Sequence, residues 1–214
     1  MRRPQIALLA AFLAIGVLAC GDEEAPVATD SSVVSEGTYT NEYFGLTLSI
    51  PDGWFVASRD TQQSMSELGK KLVAGDDATL EAVVEQSQKN TFQLLTVSEF
   101  EVGAAVDFNP TLILVAERVS HMPGVKSGRD YLFHARKLLL RSQLPYELIK
   151  DTFPTQLGGR EWYRADYIVN NPQMPVEQSY FATKHDDFVL VVILSASTKE
   201  QMVALERIAD SITM

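Results

Sequence analysis

The feature that most constrains the fold is a run of seven consecutive apolar residues near the C-terminus, Phe188 to Leu194. Side chains of a strand alternate between its two faces, so an uninterrupted apolar run puts apolar side chains on both faces. Such a strand is typical of a sheet that is covered on both sides. The sequence therefore predicts a central sheet with helices packed against each face.

Hydrophobic periodicity divides the rest of the chain into further strands and helices. Strands are predicted over about 43–50, 54–56, 92–100, 111–119, 146–150, 160–170, 177–184 and 187–196, and helices over about 61–74, 77–89, 128–144 and 199–212. Short connections between the last strands make them antiparallel neighbours. We expect an α+β fold with a mostly antiparallel central sheet and helices on both faces, an α/β/α sandwich.

Composition excludes several classes of protein. Acidic residues outnumber basic ones by 28 to 18, and the formal charge is −10. Nucleic-acid binding usually needs a basic surface, so no nucleic-acid partner is expected. The single cysteine cannot form an intramolecular disulfide, and it excludes zinc and iron–sulfur sites built from several cysteines.

The N-terminus reads as a targeting segment. Arg2 and Arg3 precede an uncharged apolar run, Ile6 to Val17, which is too short for a membrane-spanning helix and typical of a signal peptide. The residues Val17-Leu18-Ala19-Cys20 that follow resemble the lipobox of bacterial lipoproteins. The resemblance implies a signal peptide over residues 1–19, cleavage before Cys20 and lipid attachment there. The alternative is an ordinary secretory signal with an incidental cysteine.

An acidic segment follows the expected lipid attachment site. Residues 21–38 contain five acidic residues, no basic residue and no aromatic residue. Such a composition is typical of a flexible, self-repelling tether. We expect residues 20–38 to tether a single domain, residues 39–214, to the membrane. Because Gly21 rather than aspartate follows Cys20, the lipoprotein resemblance implies the periplasmic face of the outer membrane in a Gram-negative host.

The start of the expected domain carries a second resemblance. The segment Tyr43 to Trp54 reads YFGLTLSIPDGW: an aromatic-glycine strand that ends in Pro-x-Gly-Trp. With the apolar strand and closing helix at the C-terminus, it resembles the PsbP-like and DcrB-like superfamily of α/β/α sandwich domains over residues 39–214. The resemblance implies a non-enzymatic accessory or binding module, and its motifs transfer no catalytic residue.

No catalytic or cofactor motif stands out. The sequence has no HExxH zinc motif, no Gly-x-Ser-x-Gly elbow and no glycine-rich phosphate loop. His185-Asp186-Asp187 offers three potential metal ligands, but its position between two predicted strands favours a hairpin turn. We therefore expect no cofactor and no metal site.

Candidate binding residues gather on the third predicted helix. The candidates are the basic residues Arg129, His134, Arg136, Lys137 and Arg141. Asp130 is the one acidic residue on the same helix. His134, Lys137 and Arg141 share one side of a helix, because they are three and seven residues apart. The helix could dock an acidic envelope protein or an anionic polymer. The alternative is a solvated helix face with favourable cations near its C-terminus.

A second candidate lies on the strand predicted over 160–170. Alternation places Trp162 and Arg164 on one face of that strand. An exposed tryptophan beside an arginine could bind a ligand or a partner. The alternative is that Trp162 packs in the core under a helix.

These observations favour a lipid-anchored, non-enzymatic accessory protein of the cell envelope that binds or scaffolds another component. A lipoprotein that captures a lipid, a sugar or a metal, beside Trp162 or between helix and sheet, is the alternative. An unrecognised hydrolase is the third possibility, because carboxylate pairs alone do not distinguish an enzyme from a solvated surface.

The lipoprotein hypothesis predicts the behaviour of one variant. Cys20→Ser removes the thiol that would carry the lipid, so the protein should leave the membrane fraction. Fractionation of cells, followed by a high-salt wash, measures this. A variant that stays with the membrane after the wash would contradict lipid anchoring.

Overall fold

The structure, a computed structural model, describes residues 31–214 apart from Pro172. Over these residues the chain forms ten strands and four helices. The strands are β1 Ser32–Ser35, β2 Thr38–Asn41, β3 Leu46–Ser49, β4 Phe55–Val56, β5 Thr91–Ser98, β6 Thr111–Arg118, β7 Tyr146–Leu157, β8 Arg160–Val169, β9 Val176–His185 and β10 Phe188–Ala196. The helices are α1 Arg59–Ala74, α2 Ala78–Gln88, α3 Gly128–Leu139 and α4 Lys199–Asp210. The expected signal peptide, Cys20 and the tether as far as residue 30 lie outside the described residues.

The central sheet has seven antiparallel strands in the order β4-β5-β6-β10-β9-β8-β7. The apolar run of the sequence forms β10, which lies in the middle of the sheet and is buried at every residue. The predicted fold class is therefore confirmed: the protein is α+β, with a mostly antiparallel sheet between two layers.

Each face of β10 belongs to a different hydrophobic core. Phe188, Leu190 and Val192 pack on the face that holds α4, whereas Val189 and Val191 pack on the face that holds α2 and α3. The C-terminal end of α1 joins the second core. Alternation along one strand thus explains why both faces of the sheet are covered.

A second, three-stranded sheet, β1-β2-β3, covers part of the α4 face, and sequence periodicity did not predict it. The strand predicted over about 43–50 forms β3, which pairs with β2 in this small sheet instead of joining the central sheet. Thr47 of β3 forms a bridge with Thr213, which ties the small sheet to the C-terminus.

The tether prediction is wrong for its last residues, since Ser32–Ser35 and Thr38 belong to β1 and β2. Glu36 and Gly37 connect these strands with φ values of 49° and 71°. Two consecutive positive φ values are typical of a two-residue hairpin turn. The ordered domain therefore begins at least seven residues before the expected boundary at Tyr39.

The helix ends follow from local hydrogen bonds. The side chain of Ser127 accepts a hydrogen bond from the amide of Asp130 at the start of α3. Thr198 and Gln201 form the capping box of α4. Helix α3 ends at Leu139, five residues before the predicted end, and β7 extends to Leu157 rather than to about residue 150.

Helix α3 lies very close to the sheet at its first residue. A Cβ atom added to Gly128 would lie 2.0 Å from the carbonyl oxygen of Ala182 on β9. Tyr131, one turn later, donates a 2.6 Å hydrogen bond to the buried carboxylate of Glu117 on β6. Burial and that carboxylate raise the pKa of Tyr131 well above its usual value. These two contacts fix the position of α3.

This close approach predicts that Gly128→Ala destabilises the protein by about 2 to 3 kcal/mol, because the helix or β9 has to move. Urea unfolding measures the change in free energy. Gly124→Ala is the matched control, since no atom lies within 4 Å of its added Cβ, and it should change stability by less than about 0.5 kcal/mol. Equal effects of the two variants would contradict the close approach.

The predicted hairpin turn at His185-Asp186-Asp187 joins β9 to β10. Asp186 has a φ of 48°. The Nδ1 atom of His185 is 3.0 Å from Nη1 of Arg160. A guanidinium only donates, so this histidine nitrogen accepts and the imidazole is neutral. Burial and the charge of Arg160 lower the pKa of His185 from its usual 6.5.

A lowered histidine pKa makes folding stability depend on pH. As pH falls through about 6.5, His185 binds a proton in the unfolded chain before it does so in the folded protein. The contribution of neutral His185 to folding stability is therefore present above that pH and is lost below it. We expect the free energy of unfolding to fall more steeply between about pH 7 and about pH 5 in the natural protein than in His185→Gln. Identical slopes would contradict this assignment.

Candidate functional site

The candidate site is the outer surface of α3. Five residues of this helix are buried against the sheet: Gly128, Tyr131, Leu132, Ala135 and Leu139. At 100° per residue, the opposite side of the helix and its C-cap carry Arg129, Phe133, Arg136, Lys137 and Leu140. We call these five residues the α3 face.

Two apolar side chains of the α3 face are unusually exposed. Phe133 is 54% exposed and Leu140 is 47% exposed. They are seven residues apart, so they lie on the same side of the helix two turns from each other. The ammonium group of Lys137 lies 4.2 Å from the centre of the Phe133 ring, a cation–π contact. The exposed ring and a cation thus form one mixed surface.

The region around α3 is basic within an acidic chain. Residues 126–151 contain six basic and three acidic side chains, whereas the whole sequence has 18 basic and 28 acidic ones. A cluster of basic residues on an otherwise acidic protein can select an acidic partner through its opposite charge.

All three acidic side chains in this region already have partners, and Glu147 accepts a 2.9 Å hydrogen bond from the side-chain amide of Asn170. Asp130 accepts hydrogen bonds from the Ser127 hydroxyl and the Lys126 amide at the helix start. Asp151 forms a 2.9 Å ion pair with Arg136. The Thr152 amide and the Arg136 charge hold the pKa of Asp151 below its usual value, so the pair is ionised at neutral pH.

Three of the other five cations lie on α3 or just beyond it. Within residues 31–214, no carboxylate forms an ion pair with Arg129, Lys137 or Arg141. Arg129 and Lys137 lie on the α3 face, and Arg141 is exposed one residue beyond the helix C-cap. The surface can therefore accept negative charge from another molecule without first breaking an internal ion pair.

The structure brings together the basic residues that were predicted on α3. His134 is half-buried beside the α3 face, and its ring contacts Phe133 edge to face. Phe133 and Leu140 were not among the predicted site residues. One signal could have identified Phe133: it falls outside the apolar stripe of Tyr131, Ala135 and Leu139, so its ring had to point away from the core.

The interpretation of Trp162 as an exposed binding residue is wrong. Its side chain is 0% exposed and packs in the core on the α4 face of the sheet, opposite α3. The side chain of Trp162 points toward the layer formed by α4 and the small sheet. Because that layer covers β8, the ring is buried. The alternative from the sequence, core packing under a helix, is what the structure shows.

Arg164 lies on the same face of β8 as Trp162 and not with the α3 residues. Its guanidinium is 2.6 Å from the carboxylate of Asp166 and 2.7 Å from that of Glu206 on α4. It also donates to Ser179 of β9 at 2.9 Å. Arg164 therefore links α4 to the sheet, and its charge is neutralised within the domain.

The α3 face has the chemistry of a binding surface. It presents cations and apolar groups but no nucleophile beside a general base. Across the described residues, no group of three or more His, Cys, Asp or Glu side chains is arranged to hold a metal ion. None of the helices over residues 31–214 is both long and apolar enough to span a bilayer.

Comparison with known proteins assigns no family to the chain. No protein-family model and no curated protein matches the sequence. Three similar solved structures are the cyanobacterial PsbP (CyanoP) of Synechocystis sp. PCC 6803, LpqN of Mycobacterium tuberculosis, which is involved in cell envelope biogenesis, and the Ran-binding protein Mog1p of Saccharomyces cerevisiae.

The three structures overlap much of the chain but differ from it in detail. The cyanobacterial PsbP is 14% identical, with a TM-score of 0.46, and the match covers 92% of this chain and 98% of that protein. LpqN is 15% identical (TM-score 0.42, 78% and 82% covered), and Mog1p is 11% identical (TM-score 0.37, 76% and 77% covered). A likeness at this level does not place the chain in a family, so membership of the PsbP-like superfamily stays a prediction.

Proposed function

We propose that this protein is a lipid-anchored accessory protein of the cell envelope that binds an acidic protein partner through the α3 face. One observation carries the proposal: Arg129 and Lys137, which have no carboxylate partner among the described residues, flank the exposed ring of Phe133 on one helix surface. The rest of the chain is strongly acidic, so this surface differs from its surroundings in both charge and hydropathy.

The apolar residues favour a protein over an anionic polymer. A polymer that carries only negative charges needs cations, and it gains little from an exposed phenylalanine and leucine. Protein interfaces are enriched in arginine and aromatic residues, and their central contacts are apolar. Phe133 and Leu140 would supply that apolar centre, and Arg129, Lys137 and Arg141 would supply the charged surroundings.

The helix that carries the surface is rigidly held. Its first residue touches β9, its Tyr131 hydroxyl binds Glu117, and its cap is formed by Ser127. A surface that is already ordered loses less conformational entropy on binding. The arrangement therefore suits docking of a partner without rearrangement of the fold.

The proposed anchor would hold the domain close to the membrane. Because β1 begins at Ser32, eleven residues separate it from Cys20, and the fully extended chain between the two residues spans at most about 43 Å. Two or three acyl chains at the N-terminus would hold the protein stably in a membrane. Envelope localisation, with the outer membrane as the site in a Gram-negative host, belongs to this proposal.

A photo-crosslinking experiment in intact host cells tests the docking surface. A photoreactive side chain replaces Phe133 in one protein and Val203, an exposed residue on α4, in a second protein as the positional control. We expect one dominant adduct from position 133 whose crosslinked peptide is acidic, and no such adduct from position 203.

Charge reversal supplies the matched comparison. Replacing Arg129, Lys137 and Arg141 by glutamate should reduce the adduct at least about tenfold, because like charges then face each other. Replacing Lys71, Lys89 and Lys199, which are exposed elsewhere, should leave it unchanged. In the purified complex, Phe133→Ala should weaken binding to a similar degree. Binding that responds to the charges and to salt but not to Phe133→Ala would indicate an anionic polymer and contradict a protein partner.

A further inference from the structure

Three exposed apolar side chains lie at the corner of the domain where its first strand begins. Val33 and Val34 of β1 are 61% and 46% exposed, and Tyr43, in the turn that follows β2, is 46% exposed. Val33 pairs with Thr40, three residues before Tyr43, so the three side chains belong to one region of the small sheet. We call Val33, Val34 and Tyr43 the β1 corner.

The β1 corner is also the place where the chain from the proposed anchor joins the domain. The carbonyl oxygen of Ser31 accepts a 3.2 Å hydrogen bond from the amide of Glu42, the residue before Tyr43. The chain from Cys20 to Ser31 spans at most about 40 Å when it is fully extended. A lipid on Cys20 would therefore keep the β1 corner within that distance of the bilayer, whichever way the domain turns.

The core beneath Tyr43 holds its ring in place. The ring centre lies 4.9 Å from that of Phe44 and 5.9 Å from that of Phe188, and both contacts are edge to face. Phe44 and Phe188 are themselves buried. The turn is fixed by Asn41, whose side-chain oxygen accepts a 3.1 Å hydrogen bond from the Phe44 amide. An ordered side chain of this kind loses little conformational entropy when another surface covers it.

The side chains of the β1 corner have the chemistry that suits the interface of a bilayer. Tyrosine combines an apolar ring with a polar hydroxyl group, and it is enriched where membranes meet water. Attraction to anionic lipid does not supply the contact, because the chain has a formal charge of −10 and residues 21–30 contain acidic residues but no basic one. A zwitterionic lipid surface is therefore the partner that fits the corner.

The small size of the corner favours a bilayer over a second copy of this protein. Each partner in a stable protein interface contributes about 20 to 30 residues, whereas β1 has only four residues. A domain that is already anchored meets its own bilayer in an intramolecular step, so the contact does not have to offset the entropy cost of association. A few apolar side chains are then sufficient.

From these observations we propose that the β1 corner rests on the zwitterionic lipid surface of the membrane that anchors the protein, with Val33, Val34 and Tyr43 in the interfacial layer. This inference rests on the proposed lipid anchor and adds a second, non-covalent contact to it. The small sheet lies on the α4 face of the central sheet and α3 lies on the other face. The contact would therefore orient the α3 face away from the membrane.

Quenching by spin-labelled lipid tests the contact in the full-length lipidated protein, purified from host membranes. The protein is placed in phosphatidylcholine vesicles that contain a lipid with a nitroxide near its headgroup. A fluorophore is attached to the new thiol of Ser35→Cys, directly after the valines, or of Ser64→Cys on α1, the matched control; both serines are exposed. We expect quenching at position 35 to be at least about three times that at position 64. Equal quenching would overturn the proposal.

Serine substitutions test the three side chains directly. Val33→Ser, Val34→Ser and Tyr43→Ser together should lower quenching at position 35 to the level of position 64, because the apolar groups that enter the interface are lost. Val203→Ser is the control: it removes a 45% exposed side chain of α4 and should leave the quenching unchanged.

The two valines alone provide a milder variant, should the triple variant fail to fold. Val33→Ser with Val34→Ser leaves the aromatic contacts of Tyr43 in place and should lower the quenching at position 35 at least about twofold. Unchanged quenching in either folded variant would overturn the proposal.

Vesicle flotation separates a failure of the contact from a failure of the anchor. A protein that does not float with the vesicles would contradict the lipid anchor and this proposal together. A protein that floats but is quenched equally at positions 35 and 64 would contradict the surface contact alone.

Dilution separates the lipid surface from a second copy of the protein. Quenching at position 35 should stay unchanged when the protein is diluted about tenfold in lipid, because the contact is made within one anchored molecule. Loss of quenching on dilution would indicate that a second copy takes part, and it would overturn the proposal.

Discussion

The fold depends on the burial of β10 on both of its faces. This strand pairs with β6 on one side and with β9 on the other, and every residue from Phe188 to Ala196 is buried. Full burial of a leucine or valine side chain contributes about 1.5 to 3 kcal/mol, so loss of either covering layer would expose several such side chains. Both layers are therefore needed for the same strand, and the two cores form or fail together.

The two layers are attached to the sheet by different means. On one side, α3 is held by the contact of Gly128 with β9 and by the buried bond from Tyr131 to Glu117. On the other side, Arg164 joins Glu206 of α4 to Asp166 of the sheet. The charge of Arg164 is thus used within the domain, whereas Arg129 and Lys137 of α3 form no ion pair with a carboxylate of residues 31–214. Arg129 and Arg164 were both candidate binding residues in the sequence, but Arg164 joins two layers of the fold whereas Arg129 lies on the outer surface of α3.

Periodicity predicted the order and type of the four helices and of the strands of the central sheet, because burial on one face or on both leaves a direct pattern, as in Phe188 to Leu194. It could not decide whether Trp162 was exposed, since alternation assigns a residue to a face but does not say what covers that face. The small sheet was missed because β1 has exposed valines and no apolar face of its own. The contact of Gly128 with β9 likewise depends on how α3 packs on the sheet, which no local pattern records.

The arrangement of the layers would also separate the proposed lipid anchor from the proposed binding surface. The described chain begins with β1, which pairs with β2 in the small sheet on the α4 face. Helices α1, α2 and α3 lie on the opposite side of the central sheet, and with them lies the α3 face. The chain that would carry a lipid upstream of β1 therefore joins the domain on the α4 side, whereas the α3 face lies on the other side. The seven-stranded sheet stands between β1 and α3, so the segment that leads to the proposed anchor and a partner bound to α3 would join opposite faces of the domain.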